Sequence, residues 1–431
     1  MTANLVLLLG FIVLLMAGTP VAVALGMAGL AAIFVGLDMY AVGNTATIAY
    51  TSIAKYPLIA IPLFILTGMI FERSGVAARL VRLAQAVVGP RRGGLALVAI
   101  LVCLIMGGMS GSGPADAAAV ATVLIPSMMK AGYPRAFSAS IIAASASTAI
   151  LIPPSIALIV YSIMVPGTDL RALFAAGIVP GILAGAAVAL PALLLSRHHG
   201  FGAEEDAGRP PLGRSLAEAL PGLLAPIIIL GGLRSGLFTP TEAAVVAVAY
   251  GMIVGVFLHR TMGLRDIARV LADSASVSAV VMIIISLAGI FAWAGSTLGA
   301  FDAAAELILT LSDNAIVVLL MVMVVLLLAG MVLDGVSIYL ITLPLLIPIM
   351  TTFGWNPVWF GVLMAMNIAV GQFTPPVAVN LMVTAKIAGV PIESTVRWVL
   401  WPIVAMLIAM GLVIAFPGLA LWLPETMGFR I

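Results

Sequence analysis

The chain has 431 residues, of which 63% are hydrophobic and 8% charged, with a mean hydropathy of +1.26 and a formal net charge of +2. Soluble domains carry about 25% charged residues, so this composition excludes an ordinary soluble domain and describes a polytopic membrane protein. No long basic run suggests nucleic acid, and a single cysteine, Cys103, excludes an internal disulfide framework.

The N-terminal stretch is apolar but has no basic leader, which predicts a first membrane helix over 4–17 rather than a signal peptide. A second helix, 20–37, follows Gly18-Thr19-Pro20. A long segment over 44–71 is interrupted at Tyr56-Pro57 and Ile61-Pro62. Residues 73–92, with Arg73, Arg79, Arg82, Arg91 and Arg92, read as a polar connector. Next comes an apolar segment, 94–129, broken by Gly107, Gly108, Ser110, Gly111, Ser112, Gly113 and Pro114, with Asp116 just beyond. Backbone freed by glycine and proline finds no partner in lipid, so such a break must be buried in protein or face a wet cavity. Each half is shorter than the ~20 apolar residues a span needs. The halves read as limbs of a re-entrant hairpin with its tip at Ser110–Pro114. A helix over 136–165 is split at Pro153-Pro154, and 171–196 is another span. Two broken segments this close together read as a transporter binding site.

Residues 197–215 are the most polar stretch and divide the chain into a first half, 1–196, and a second, 216–431. His198 and His199 lie here on a short loop beside acids, where adjacent histidines are solvated far more often than metal-bound. The second half repeats the first: helices over 216–234 and 238–258, an arm over 264–297, a hairpin over 315–351 with its tip at Asp334-Gly335, a helix over 357–387 split at Pro375-Pro376, and a last span over 394–415. Adding 222 to Gly108, Met109, Pro126, Gly132, Pro153, Pro154 and Pro180 gives Gly330, Met331, Pro348, Gly354, Pro375, Pro376 and Pro402, and every residue type matches.

Charge placement sets the expected topology. Lys and Arg favour cytoplasmic loops. Arg91, Arg92, Lys130 and Arg135 flank the first hairpin, whereas no Lys or Arg occurs between Arg269 and Lys386. The two hairpins should therefore enter from opposite sides, giving inverted repeats of about five spans and one hairpin each. Both termini and the 166–169 loop fall outside, and the 197–215 loop inside.

The stretches GSGPADAAAVATVLIPSMMKAGY, LIPPS, GLFTPTEAAVVAVAY, GMVLDGVSIYLITLPLLIPI and GQFTPPVAVN closely resemble the large membrane subunit of tripartite ATP-independent periplasmic (TRAP) transporters. The resemblance covers essentially the whole chain. It implies an elevator-type, cation-coupled uptake transporter in a bacterial inner membrane, fed with an organic acid by a periplasmic substrate-binding protein and accompanied by a small four-helix membrane subunit. Because the chain starts at the large subunit's first helix, that small subunit is expected as a separate polypeptide.

Hydroxyls and carbonyls at broken helices hold hard cations, and helix N-termini favour anions. Two Na+ sites are expected, one per repeat. The first draws on Ser110, Gly111, Ser112, Asp116, Thr148 and Pro153, the second on Asp334, Gly335, Ser337, Gln372, Thr374 and Pro375. Ser110, Gly113, Ser155, Asn367 and Asn380 are candidates for substrate contact, and Ser147 and Pro154 lie beside them. The plain alternative for the small polar residues is helix packing. Asp116 falls in the first turn of a limb, where a helix cap and an ion ligand are both open; Asp334, at a tip with no evident partner, reads as an ion ligand. Glu242 fits a capping box with Thr239 and Pro240. Lys386 and Arg397 read as topology anchors, Arg171 and Arg234 as docking groups on the outer side, and Trp355, Trp359, Trp398, Trp401 and Trp422 as interfacial anchors. The elements 94–191 and 315–413 are expected to move together against a scaffold of 4–71 and 216–297. A stand-alone Na+- or H+-coupled anion transporter of related architecture remains the rival reading. No His-Glu-x-x-His pair, nucleotide loop or Cys/His nucleophile pattern supports an enzyme.

Overall fold

The computed structural model describes residues 2–37, 39–202 and 208–431, with the backbone alone of residues 39 and 40. Residues 203–207, the acidic part of the expected 197–215 linker, lie outside the described residues. All regular structure among the described residues is helical. The first half holds α1 (Thr2–Met16), α2 (Val21–Gly36), the short α3 (Met39–Gly43) and α4 (Thr45–Ile53), then α5 (Ala60–Arg73), α6 (Val76–Val88), α7 (Gly94–Ser110), α8 (Gly113–Lys130), α9 (Arg135–Ser147), α10 (Ile156–Met164) and α11 (Leu170–His199). The second half holds α12 (Leu212–Arg234), α13 (Pro240–Met252, running on as a π-helix over Ile253–Leu258), α14 (Leu264–Thr297), α15 (Ala300–Leu309), α16 (Ala315–Gly330), α17 (Gly335–Thr352), α18 (Pro357–Gly371), α19 (Val379–Ala388), α20 (Val396–Ala415) and α21 (Gly418–Thr426).

Three helices depart from the sequence expectation. The supposed polar connector contains α6, which buries Val76, Ala77, Leu80, Val81 and Ala84. These positions form one helical stripe, with Arg79 and Arg82 on the other side; Arg82 sits 3.2 Å from Glu218 of α12. Counting arginines obscured that stripe. Helix α15 begins after Gly299, which adopts φ +67 at its N-cap, and buries Phe301 and Ala305. Helix α21 follows Pro417 and buries Ala420. Of the two breaks expected in the 44–71 segment, the first falls at residues 54–55, with Tyr56–Ile59 forming a 3-10 turn, and the second is absent, because Pro62 lies in the first turn of α5, where its missing N–H costs no helix bond.

Seven helices among the described residues are long and apolar enough to cross a membrane. One of them is α17, whose 18 residues put it at the lower limit for a span; Pro344 and Pro348 lie within it. Its partner limb α16 has 16 residues and belongs with the shorter apolar helices, as does α7 with 17.

Packing between the halves is reciprocal. Helices α7 and α8 pack on each other and on α9, and α8 packs also on α19; α16 packs on α18, and α17 on α10. Each helical pair therefore grips the first part of the split helix that follows it and the second part of the other half's split helix. A separate group joins α1, α2, α4, α5, α13 and α14. The two groups meet where α7 touches α5, α6 and α12, and where α17 touches α14 and α15.

Candidate functional site

The first tip is made by backbone geometry. Helix α7 ends at Ser110 because Gly111 takes φ +59, a left-handed conformation that costs an L side chain about 1–2 kcal/mol. Ser112 is then extended, and α8 opens at Gly113-Pro114. The Ser110 hydroxyl donates to Asp116 Oδ1 at 2.7 Å and accepts from the Ser112 amide at 3.2 Å. Asp116 is fully buried, and its Oδ2 has no hydrogen-bond partner. A buried polar oxygen left unsatisfied costs about 1–3 kcal/mol, so this atom is the strongest candidate at the first tip for meeting something bound. Asp116 does lie in the first turn of α8, where an acid faces the helix dipole, and its carboxylate bonds a hydroxyl rather than a helix-end amide.

Asp334 is different from its expectation. It is not partnerless: Oδ1 accepts from the amides of Val336 and Ser337 at 3.0 and 3.1 Å, and Oδ2 accepts from the Ser337 hydroxyl. Asp334 is thus the N-cap of α17, and any further role is added to that one. The second tip docks on the split in the following helix, where the Val377 and Ala378 amides both donate to the Met331 carbonyl at 3.3 Å. The Pro153-Pro154 and Pro375-Pro376 bonds are both cis.

Both tips open on one cavity of about 200 Å³, lined by Ser110, Gly111, Ser112 and Gly113 from one tip, by Asp334 and Gly335 from the other, and by Gln372. Ile150, beside the first split, lines it too, and its far walls come from α5, α10 and α14, including Gly68, Ala157, Val277 and Val281. Gln372 stands between the tips. A Cβ on Gly113 would lie 2.5 Å from Gln372 Oε1 and 2.8 Å from Asn380 Nδ2, so the first tip touches the second half's unwound segment. Asn380 Nδ2 in turn donates to Gln372 Oε1 at 3.3 Å. The first tip also rests on its own half's split, with Gly111 against Pro154 and Ser155.

Other expected residues lie behind this cavity. The Thr148 hydroxyl donates to the Ser145 carbonyl at 2.7 Å, that of Ser147 to Ala144 at 2.7 Å, and that of Thr374 to Val370 at 2.6 Å. Ser155 caps α10 through Leu158, and Pro153 belongs to the split itself. Each hydroxyl still has acceptor capacity. Asn367 does not join the tips: its Nδ2 donates to the Met323 carbonyl of α16 at 2.7 Å, and it does not line the cavity.

The sequence reading missed Lys55. It lines a second cavity of about 360 Å³ with Thr51, Ser52, Val160 and Ile285, and no other lining residue is ionisable. Ala157 and Val281 border the tip cavity; Val160 and Ile285 border this one, one helical turn further along α10 and α14. The two cavities follow a single seam. The available signal was a lone lysine in the otherwise uncharged segment 44–71.

Among the outlying candidates, Glu242 and Thr239 form the expected capping box, at 2.7 Å and 3.3 Å. Arg171 and Arg234 do share one cavity wall; Arg171 pairs with Asp169 at 3.0 Å and lies over the Phe429 ring. Lys386 is in the last turn of α19, and Arg397 lies 4.2 Å above the Trp398 ring. His199 stacks on Phe201. Two of the five tryptophans expected at the interface are core residues: Trp359 donates to the Val413 carbonyl at 3.0 Å, and Trp398 packs edge-on to Phe137. Trp401 and Trp422 are exposed.

The comparisons agree with this architecture. Residues 8–419 match the family described as Tripartite ATP-independent periplasmic transporter, DctM component. The chain is 38% identical over 373 residues to the C4-dicarboxylate TRAP transporter large permease protein DctM of Pseudomonas aeruginosa, covering 86% of this chain and 87% of that one. It is 37% identical over 407 residues to the isethionate TRAP transporter permease protein DctMQ of Oleidesulfovibrio alaskensis, covering 94% of this chain but only 64% of that longer relative. Among solved structures, the Alcanivorax borkumensis YdaH transporter superposes with a TM-score of 0.58 at 16% identity, over 89% of this chain and 91% of that one, a likeness of fold alone. The chain is a multi-pass membrane protein and belongs to the DctM family of TRAP transporter large permeases.

Proposed function

We propose that this chain is the large permease of a sodium-coupled importer in a bacterial inner membrane, taking up an organic acid delivered by a periplasmic substrate-binding protein and working with a small four-helix membrane subunit. The observation that carries the reading is the single cavity shared by the two tips. Helices α8 and α17 both begin on it, and a helix N-terminus favours an anion; the Asp334 carboxylate already takes the Val336 and Ser337 amides of α17, so α8 is the better placed of the two to meet one. Both relatives are named for organic acids, isethionate and C4-dicarboxylates. Sodium is assigned to the region behind the tips, where unwound backbone, hydroxyls, Asp116 Oδ2 and Asn380 Oδ1 offer oxygen donors to a hard cation; the two side-chain oxygens are buried without partners. Two such sites are proposed, one per half.

In this reading the halves are inverted repeats. Helices α7–α11 and α16–α20 travel together as the moving body, and α1–α5 with α12–α14 form the scaffold. Both termini face the periplasm and the 197–215 loop faces the cytoplasm. The seam from Lys55 to the tips is then the substrate's way in, with Lys55 favouring anions.

The test is uptake of the cognate organic acid into proteoliposomes carrying the small subunit and an inward sodium gradient. Uptake is expected only with the cognate binding protein present. Lys55→Gln is expected to slow it about fivefold, the loss of roughly one cation–anion contact near a surface. Equal uptake of free acid without the binding protein would favour a stand-alone anion transporter. An unchanged rate in Lys55→Gln would remove Lys55 from the path.

A further inference from the structure

A groove of about 740 Å³ runs between α11 and α20, away from the tips. Its walls are Leu190, Leu194, Trp401, Val404 and Ile408, all exposed. Its basic residues gather at one end only: Arg397, His198 and His199 line that end, and exposed Arg197 adjoins them. From Leu190 to His199 the wall extends about 14 Å at 1.5 Å per residue. One leaflet of a hydrocarbon core about 30 Å thick has nearly that depth.

We propose that this groove is a binding site for one anionic phospholipid, with its acyl chains along α11 and α20 and its phosphate at Arg397. The argument rests on the match of three features along one axis. The apolar part covers about half the depth of one leaflet along α11, from Leu190 to Leu195, and about two thirds along α20, from Trp401 to Ile408. The tryptophan Trp401 is exposed within it, near the charged end, where amphipathic rings favour the headgroup level. The charge at that end is positive and fixed: Arg397 is held 4.2 Å over the Trp398 ring, and Trp398 is itself locked by edge contacts with Phe137, Phe201 and His199. Among the described residues no carboxylate pairs with Arg397. Basic pockets between membrane helices are a recurrent setting for anionic headgroups. Every residue lining the groove belongs to α11 or α20, so no scaffold helix forms a wall of it.

The experiment reconstitutes the full chain in bilayers of equal phosphatidylglycerol and phosphatidylcholine, extracts it gently, and counts retained lipid by native mass spectrometry. The wild type is expected to keep phosphatidylglycerol in clear excess over phosphatidylcholine. Arg397→Gln is expected to cut that excess about fivefold, what one basic group near an anionic surface contributes, and adding Arg197→Gln to cut it further. Arg265→Gln, exposed at the start of α14 and outside the groove, serves as the control and should change nothing. Both arginines are exposed, so the variants fold; their unchanged melting in phosphatidylcholine alone verifies it. Retention that mirrors the bulk lipid, or an excess indifferent to Arg397→Gln, overturns the proposal. So does displacement of the signal by millimolar glycerol phosphate, which would make the site a phosphate site without a lipid. Disulfide-linked dimers of Leu194→Cys in detergent would show that a second copy of the chain covers the groove, and would overturn it as well.

Discussion

Gly111→Ala is expected to destabilise the protein strongly and to abolish uptake, while Gly167→Ala costs only its backbone strain and leaves uptake nearly unchanged. The two glycines share one conformational need, at φ +59 and φ +80. Placing an alanine in that region costs about 1–2 kcal/mol at either position. They differ in surroundings. A Cβ at Gly167 meets nothing within 4 Å, whereas one at Gly111 runs into the Pro154 carbonyl oxygen and comes 3.1 Å from Ser155 Cα. Those are backbone atoms of the split helix and cannot rotate aside. Overpacking of this kind adds about 1–3 kcal/mol, so Gly111→Ala should lose about 2–5 kcal/mol in all. The functional loss follows from the direction of relief. The tip can escape the clash only by lifting off the split, and that moves Ser110 and Ser112 out of the wall they share with Gln372. Thermal melting of both variants in detergent, alongside uptake, measures the contrast. Equal effects at the two positions would mean that the tip does not rest on Pro154 in the working protein.

Much of this arrangement was legible because breaks in apolar sequence are rare and physically costly. Gly111, Gly113, the paired prolines and the matching set 222 residues later could be read without coordinates, since lipid offers no partner to freed backbone. The elements that stayed hidden carry weaker signals. Helix α6 is amphipathic, but its arginines outweigh its stripe of Val76, Leu80 and Ala84 to a reader scanning for spans. Helices α15 and α21 are too short to register as apolar segments. The site was legible as a list but not as a map. Nothing in the sequence distinguishes Asn380, which reaches the first tip, from Asn367, which turns to the Met323 carbonyl. Nor could it show that Gln372 of the second half stands against Gly113 of the first, because that contact spans the reciprocal packing of α8 on α19. Asp334 was misjudged for a simpler reason: its partners are the amides two and three residues ahead, and every aspartate before a helix has such amides within reach.

That cap makes Asp334 a sharp instrument for the sodium question. Sodium is expected to raise the melting temperature more than potassium at equal ionic strength, because an ion that binds only the folded state stabilises it by mass action, by about 2.7 kcal/mol at 100 times its dissociation constant. Asp334→Asn keeps the cap, asparagine being about as good an N-cap as aspartate, and removes the charge. Asp334→Ala removes both, at a typical cost of ~1 kcal/mol for the lost cap. If the carboxylate serves a second ion site, Asn should keep the baseline melting temperature and lose part of the sodium-specific increment. If the residue is a cap alone, Asn should leave both untouched and only Ala should lower the baseline. Asp116→Asn probes the first site without that complication. Its Oδ1 can still accept from Ser110, and the substitution replaces one oxygen of a buried carboxylate that has no protein partner. The sodium increment should shrink in this variant, and the double variant Asp116→Asn, Asp334→Asn should lose more than either alone, since the two acids sit on different tips. Should sodium and potassium prove equivalent for the unmodified protein while uptake follows a proton gradient, the oxygen donors behind the tips are not sodium sites. The two aspartates would then be the groups that carry the proton.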